Sequence, residues 1–167
     1  TPETTRTRKS THPRSVLGRV KSSYPRIRRI LVPLDFSGKS RQALRYALPL
    51  ADKFSARILL VHVIKPVRGA AREDIGSLPV PRQLAQPALR RLEEMAGTLV
   101  PRALRGANIV RLGSPHGEIL AAARKFDVDM IVLTTQGRSG LKRLLIGSTA
   151  EQVMRHATCP VLSIRRQ

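Results

Sequence analysis

The sequence predicts one α/β domain with a doubly wound, five-stranded, mostly parallel sheet and four helices. From residue 29 onward, five short aliphatic runs of strand length alternate with four segments whose apolar residues recur at helical spacing. The runs are rich in Ile, Leu and Val with little polar alternation, which is typical of strands buried on both faces of a parallel sheet. Such alternation, with right-handed crossovers, places helices on both faces of the sheet.

The first strand is predicted at residues 30–34, between a pair of arginines and the loop Asp35-Phe36-Ser37-Gly38. A helix follows over residues 40–54, with either Ser37 or Ser40 as its N-cap. Residues 57–64 form the second strand. Residues 66–81 contain three prolines and two glycines, which predict a long surface loop.

The second half of the chain continues the alternation. Apolar spacing predicts a helix over residues 84–99 that starts or kinks at Pro87, and the tract Gly113-Ser114-Pro115 precedes a helix that ends near Phe126. The other predicted elements are strands at residues 107–112, 129–134 and 160–164 and a helix over residues 148–156. Ligands of such sheets bind beyond the carboxyl ends of the strands, so the loops after residues 34, 63, 112 and 133 are the expected site.

The positive charge of the chain is unevenly distributed. Its 167 residues include 31 Lys and Arg against 11 Asp and Glu, a formal charge of +20. Residues 1–29 carry nine basic side chains and one acidic side chain, a net +8, which leaves +12 on the remainder. Because residues 1–28 contain few aliphatic side chains, we expect a disordered basic arm there and a folded domain over residues 29–167. The arm also has the composition of an organelle transit peptide.

Composition excludes several classes of protein. Aromatic residues make up 3% of the chain and Trp is absent, which argues against an aromatic platform that stacks single-stranded nucleic acid. The single cysteine, Cys159, supplies neither an internal disulfide nor a cysteine-based zinc site, and it fits a reducing compartment such as the cytoplasm. The apolar stretches fall far short of the roughly 20 residues of a membrane span, so no membrane association is expected.

A glycine-rich segment after the fourth strand predicts a phosphate cradle. Ser148 and Glu151 have the spacing of a capping box, so a helix begins there with free N–H groups in its first turn. Gly147 permits close approach of a ligand, and the helix dipole favours an anion. The basic residues within reach are Arg138, Lys142 and Arg143. The alternative is that Gly137, Gly140 and Gly147 are turn residues with no ligand.

Three segments together resemble the universal stress protein (UspA) family: residues 30–35, the tract Gly113-Ser114-Pro115, and the glycine loop with residues 155–162 after it. The resemblance covers about residues 29–166. It implies a Rossmann-like fold of the adenine nucleotide α hydrolase type and a stress-response function. It also implies a homodimer through the last strand, residues 160–164, whose uncharged edge favours pairing with a second copy. The alternative is an edge blunted by Arg165 and Arg166.

The nucleotide-binding branch of this family has a loop of the form GxxGx(9)G followed by Ser or Thr. Here Gly137, nine residues and Gly147-Ser148 match, with Thr134 at the first glycine position. The resemblance implies an adenine bordered by Pro33 and Val63, a ribose hydroxyl on Asp35, and phosphates on the loop. The implied cofactor-binding residues are Pro33, Asp35, Val63, Leu133, Thr134, Gly137, Gly147, Ser148 and Thr149. The alternative for Asp35 is a loop-closing or helix-capping carboxylate.

The expected function is a stress-response module that binds ATP and acts as a homodimer. Magnesium or manganese would enter with the phosphates through Ser148, because no dedicated metal cage is evident. No residue stands as an obvious general base, so we expect at most slow ATP hydrolysis. Two alternatives remain: an interaction protein that binds no nucleotide, favoured by Thr134, and a nucleic-acid or acidic-partner binder that uses the basic arm.

Four other polar residues are interpreted as structural. His62 alternates within a buried strand and is expected to be hydrogen-bonded, and Asp127 and Asp129 flank a helix–strand turn. Cys159 precedes Pro160 at the entry to the last strand, which favours burial over reactivity.

Overall fold

The computed structural model describes residues 26–66, 80–135 and 146–165 of the chain. Strands and helices alternate over these ranges in the predicted order. The strands are β1 (Arg29–Pro33), β2 (Arg57–Ile64), β3 (Arg105–Leu112), β4 (Met130–Thr134) and β5 (Val161–Ile164), and the helices are α1 (Gly38–Phe54), α2 (Arg82–Leu99), α3 (Pro115–Lys125) and α4 (Ser148–His156). Residues 1–25 of the predicted arm, most of the predicted loop at 66–81, and Gly137 lie outside the described residues.

The five strands form one sheet in the order β3-β2-β1-β4-β5, and every neighbouring pair is parallel. The predicted doubly wound α/β fold is therefore confirmed. β1 lies at the centre between β2 and β4, so the order of the strands reverses beside its carboxyl end. No helix in the described part of the chain is long and apolar enough to cross a membrane.

Two aliphatic cores cover the two faces of the sheet. α1 and α2 pack on one face, around Ile30, Val32 and Leu60, while α3 and α4 pack on the other, around Leu31 and Ile131. Side chains alternate between the faces along β1, so consecutive residues of this one strand anchor both cores. Burial of each such side chain contributes about 2 kcal/mol to folding.

Helix α2 begins at Arg82 and Pro87 lies inside it, so of the two alternatives for Pro87 a start of the helix there is excluded. The start lies further upstream because the carbonyl of Pro81 accepts hydrogen bonds from the N–H groups of Leu84 and Ala85, at 2.9 and 3.0 Å. These two bonds close the first turn before Pro87 is reached.

Asp127 and Asp129 hold the amino end of β1 in place, which confirms their structural interpretation. The Oδ2 atom of Asp129 accepts hydrogen bonds from the backbone N–H groups of Arg28 and Arg29, at 2.7 and 2.9 Å. The Arg29 guanidinium donates to the carbonyl of Phe126 at 2.7 Å and lies 3.3 Å from the Asp127 carboxylate. The end of α3 is thereby joined to the start of β1.

Candidate functional site

A cavity of about 590 Å³ opens at the carboxyl ends of β1, β2 and β4, where the order of the strands reverses. Five segments supply most of its lining: the ends of these three strands with the residues that follow them, and the first turns of α3 and α4. Eight of the nine residues expected from the sequence line this one cavity: Pro33, Asp35, Val63, Leu133, Thr134, Gly147, Ser148 and Thr149. The ninth, Gly137, lies outside the described residues.

Asp35 lies two residues beyond the end of β1, in the loop before α1. Its Oδ1 atom accepts a hydrogen bond from the backbone N–H of Ser37 at 2.9 Å, which closes the loop between β1 and α1. The same carboxylate lines the cavity. A carboxylate offers about four lone-pair positions, so the side chain of Asp35 can accept more than one hydrogen bond.

Ser37 ends this loop by capping α1, which decides between the two serines considered. The Ser37 hydroxyl accepts from the backbone N–H of Ser40 at 3.1 Å, and the Ser40 hydroxyl donates to the Ser37 carbonyl at 3.1 Å. The position of Asp35 is therefore tied to the start of α1 through consecutive hydrogen bonds.

The loop also contains a backbone conformation that the sequence did not indicate. Phe36 has a φ of 62°, in the left-handed region that a bulky side chain rarely adopts. Its ring lies 4.3 Å from that of His62, centroid to centroid, and the guanidinium of Arg91 in α2 lies 4.5 Å from its centroid. Nδ1 of His62 lies 2.7 Å from the carbonyl oxygen of Leu34, so the predicted hydrogen-bonded histidine is confirmed.

The start of α4 differs from the predicted capping box. Gly147 is the N-cap and Ser148 the first helical residue, so the N-cap has no side chain to cap the helix. The Glu151 carboxylate pairs with Arg155 at 3.1 Å instead of reaching back to the N-cap. The boundary is set by the backbone. The N–H of Gly147 donates to the carbonyl of Thr135 at 2.6 Å, and its own carbonyl accepts from the N–H of Glu151 at 3.0 Å.

The lack of a side-chain cap distinguishes α4 from the other helix that borders the cavity. In α3 the hydroxyl of Ser114 accepts from the N–H of Gly117 at 3.3 Å. In α4 the first-turn residues Ser148, Thr149 and Ala150 line the cavity, beneath an N-cap without a side chain. The positive end of the α4 dipole therefore borders the cavity, and its N-cap residue has no side chain that could satisfy the first N–H groups.

Thr134, at the position where the family loop has its first glycine, is the last residue of β4. It pairs with Ile164 in the parallel register and does not have a positive φ. A β-branched residue is suited to this extended backbone, so the threonine causes no strain here.

Some residues that line the cavity were not predicted from the sequence. Lys65, directly after β2, adds a positively charged side chain to the rim, and α3 contributes Pro115 and Ile119. Lys65 was detectable in principle, because it is the first residue beyond a predicted strand end. The contribution of α3 depends on how the helix packs over β2, which local sequence does not show.

His116 and Cys159 lie outside the lining of the cavity. His116 follows the lining residue Pro115 but is not itself part of the lining. Cys159 is half-buried against the core beneath α3 and α4. Burial raises the pKa of the Cys159 thiol, and the nearby Asp129 carboxylate raises it further. Its thiol therefore stays protonated at neutral pH, and an unreactive cysteine is expected.

The amino-acid sequence matches those of known proteins over most of its length. The model of the universal stress protein family matches residues 26–165. Universal stress protein MJ0531 of Methanocaldococcus jannaschii is 32% identical over 146 residues, which cover 83% of this chain and 82% of that protein.

Solved structures agree with this match. The structure of protein MJ0577 from the same organism has a TM-score of 0.69 at 27% identity and covers 86% of this chain and 99% of its own. A universal stress protein of Archaeoglobus fulgidus, solved in complex with dAMP, has a TM-score of 0.56 at 22% identity and covers 84% of this chain and 99% of its own, which shows the shared fold.

Proposed function

Since this chain belongs to the universal stress protein family, we propose that it is a nucleotide-binding member whose cavity holds ATP. One observation carries the proposal: the carboxylate of Asp35 and the N-terminus of α4, which lacks a side-chain cap, border the same cavity. A nucleotide has both complementary groups, since its ribose donates hydroxyl hydrogens and its phosphates are anionic.

The size and surface of the cavity support the same ligand. Its volume of about 590 Å³ lies within the range of about 300–1,000 Å³ that is usual for small-molecule sites. Pro33, Val63 and Leu133 supply apolar surface for a base. The phosphates would lie at Gly147, where the missing side chain lets them approach the backbone N–H groups of α4.

Cations for a polyphosphate would come from the loop before α4 and from the metal that ATP carries. Arg138, Lys142 and Arg143 belong to this loop by sequence and lie outside the described residues. In the described part of the chain, no three His, Cys, Asp or Glu residues form a metal-binding group. Magnesium or manganese would therefore be held mainly by the phosphates, with the hydroxyl of Ser148 as the contribution of the protein.

Binding is favoured over rapid turnover. Among the described lining residues, Asp35 and His62 are the two candidates for a general base. Asp35 holds the N–H of Ser37, and Nδ1 of His62 is bonded to the carbonyl of Leu34. Because both are engaged in holding the loop, we propose at most slow ATP hydrolysis.

We also propose that two copies pair through β5. This strand lies at one edge of the sheet, and Leu162 is 36% exposed on it. A parallel sheet edge with uncharged residues is a template for a second strand, and a twofold axis would pair β5 with itself. The half-buried thiol of Cys159 is compatible with a reducing, cytoplasmic setting.

The test begins with the purified full chain. Denatured protein is examined by absorbance ratio and mass spectrometry for released nucleotide, and the nucleotide-free protein is titrated calorimetrically with ATP, ADP, AMP and GTP. We expect one adenine nucleotide site per chain, with ATP bound more tightly than AMP. No released nucleotide and no binding heat would instead support an interaction protein that binds no nucleotide.

A further inference from the structure

We propose that the end of the sheet opposite the cavity binds the sugar–phosphate backbone of nucleic acid. Five arginines lie together at the amino ends of β1, β2 and β3, and they are here called the arginine row: Arg28, Arg29, Arg57, Arg102 and Arg105. This surface is separate from the nucleotide cavity, because it lies where the strands begin and the cavity lies where they end.

Strand pairing and hydrogen bonds place the members of the arginine row on three neighbouring strands. Arg29 and Arg57 are register partners, and the N–H of Arg57 donates to the carbonyl of Arg28 at 2.7 Å. The guanidinium of Arg57 donates to the carbonyl of Arg105 at 3.0 Å. Arg102 opens the short 3₁₀ turn that ends immediately before Arg105. With strands about 4.8 Å apart, the row extends about 10 Å across the sheet.

Two members of the arginine row have a structural task. Arg105 donates to the carbonyls of Gly97 and Val100, both at 2.8 Å, and so satisfies the end of α2. Arg29 does the same for the end of α3 through the carbonyl of Phe126. The guanidinium groups of Arg29 and Arg105 are thus engaged in holding the ends of two helices.

The other three arginines have no such task. Arg28, Arg57 and Arg102 are exposed, and none of them forms an ion pair within the described parts of the chain. The Arg57 guanidinium bonds to the carbonyl of Arg105, which is neutral and leaves the guanidinium charge uncancelled. Three positively charged side chains at this end of the sheet are therefore exposed to solvent.

The carboxylates beside the row do not neutralise it. Asp127 pairs with Arg29, and the Oδ2 atom of Asp129 accepts two backbone N–H groups. Even if the carboxylates of Asp127 and Asp129 each count as a full negative charge, the five arginines outnumber them and the net charge of this group of residues is positive. The chain before β1 also joins the domain at this end, and residues 1–25 are basic by sequence.

A linear polyanion fits this arrangement better than a compact acidic site. Guanidinium groups bond phosphate oxygens in a bidentate manner, and three guanidinium groups of the row form no ion pair within the described residues. Neighbouring strands of the sheet lie about 5 Å apart, so charges repeat along the row at about that distance. This repeat is of the same order as the axial distance of roughly 3.4 Å between successive phosphate charges of one nucleic acid strand. No described element projects from the row to read base edges, so binding would be independent of sequence.

The experiment measures binding of a fluorescent mixed-sequence DNA duplex of about 30 base pairs to the full chain, between about 50 and 200 mM salt. The row variant carries Arg28→Gln, Arg57→Gln and Arg102→Gln. The control variant carries Arg41→Gln, Arg45→Gln and Arg90→Gln, which remove equal charge from exposed positions on α1 and α2. Thermal melting checks that both variants fold.

We expect the row variant to lower the slope of log affinity against log salt by about 2 to 3, because three phosphate contacts are lost. The control variant should keep the slope of the unmodified chain, and saturating ATP should leave duplex binding unchanged. Equal slopes in the two variants, or a row variant that binds like the unmodified chain, would overturn the proposal. Tighter binding to phosphatidylglycerol vesicles or to polyglutamate than to the duplex would also overturn it, in favour of a membrane or an acidic protein.

Discussion

The ring of Phe36 lies on the imidazole of His62, with the two centroids 4.3 Å apart and the planes inclined by 31°. Phe36 adopts this position with a φ of 62°, and the guanidinium of Arg91 lies 4.5 Å from its centroid. The left-handed backbone costs about 1–2 kcal/mol, which the ring contacts must offset. Because Asp35 precedes Phe36 directly, the stack holds the carboxylate at the cavity.

Replacement of Phe36 should separate the backbone cost from the ring contacts. Phe36→Gly and Phe36→Ala both lose the stack with His62 and Arg91, so both should be less stable than the unmodified chain. The glycine variant should be the more stable of the two by about 1 kcal/mol, because glycine adopts a positive φ without strain. Urea unfolding measures the difference. Equal stabilities would mean that the loop relaxes to a negative φ once the ring is removed.

Substitutions of Asp35 should distinguish its two uses. Asp35→Asn keeps an oxygen for the N–H of Ser37 but removes the charge, so stability should hardly change while the Kd for ATP rises about tenfold. Asp35→Ala removes the loop bond as well and should also lower stability by about 1 kcal/mol. Calorimetric titration and urea unfolding give the two readouts. ATP binding to the asparagine variant at unmodified affinity would show that the carboxylate does not hold the ribose.

Gly147→Val should block the approach of phosphates to α4. A Cβ at this position would lie 3.1 Å from the carbonyl oxygen of Thr135, and a valine adds side-chain volume at a residue that lines the cavity. We expect the Kd for ATP to rise at least about tenfold. Gly38→Val is the matched control, because Gly38 begins α1 and a Cβ there meets nothing within 4 Å. The same ATP affinity in both variants would place the phosphates elsewhere.

Leu162→Glu should disrupt the proposed dimer, because it introduces two symmetry-related charges at the β5 edge. Leu84→Glu makes the same change in α2, where the side chain is 49% exposed. In sedimentation velocity at tens of micromolar, the unmodified chain and the Leu84 variant should be dimers and the Leu162 variant a monomer. A monomeric unmodified chain would contradict pairing through β5.

Cys159 should make stability depend on alkaline pH. Because burial raises the pKa of the folded thiol, the unfolded chain loses the thiol proton at a lower pH than the folded chain. The contribution to stability is therefore complete below the unfolded pKa, about 8.5, and decreases as the pH rises from there toward the folded pKa. The difference in Tm between the unmodified chain and Cys159→Ala should change above about pH 8.5. A difference that stays constant with pH would contradict the raised pKa.

The strands could be predicted because their ends carry local signals. β2 runs from Arg57 to Ile64, with an arginine before its aliphatic run and Lys65 after it, and the predicted limits agree with the structure. The eight site residues line one cavity for a related reason, since parallel strands bring the loops after them to the same edge.

What the sequence did not predict depends on contacts between distant segments. Local chemistry favours glycine or asparagine at a positive φ, and Phe36 is held there by His62 and by Arg91, a residue of a different helix. The predicted N-cap of α4, Ser148, is wrong by one residue. The N–H of Gly147 donates to the carbonyl of Thr135, which places the N-cap at Gly147. Neither contact is visible in the few residues around it.

β1 is the shortest connection between the two proposed binding surfaces. Its amino end is flanked by Arg28 and Arg29, its carboxyl end is followed by Asp35, and Ile30, Leu31 and Val32 between them are 0% exposed. The two ends of the segment from Arg28 to Asp35 are about 20 Å apart, which is more than twice the screening length of roughly 8 Å at physiological salt. Solvent-exposed charges at the two ends are thus largely screened from one another, and one molecule could hold both proposed ligands at once.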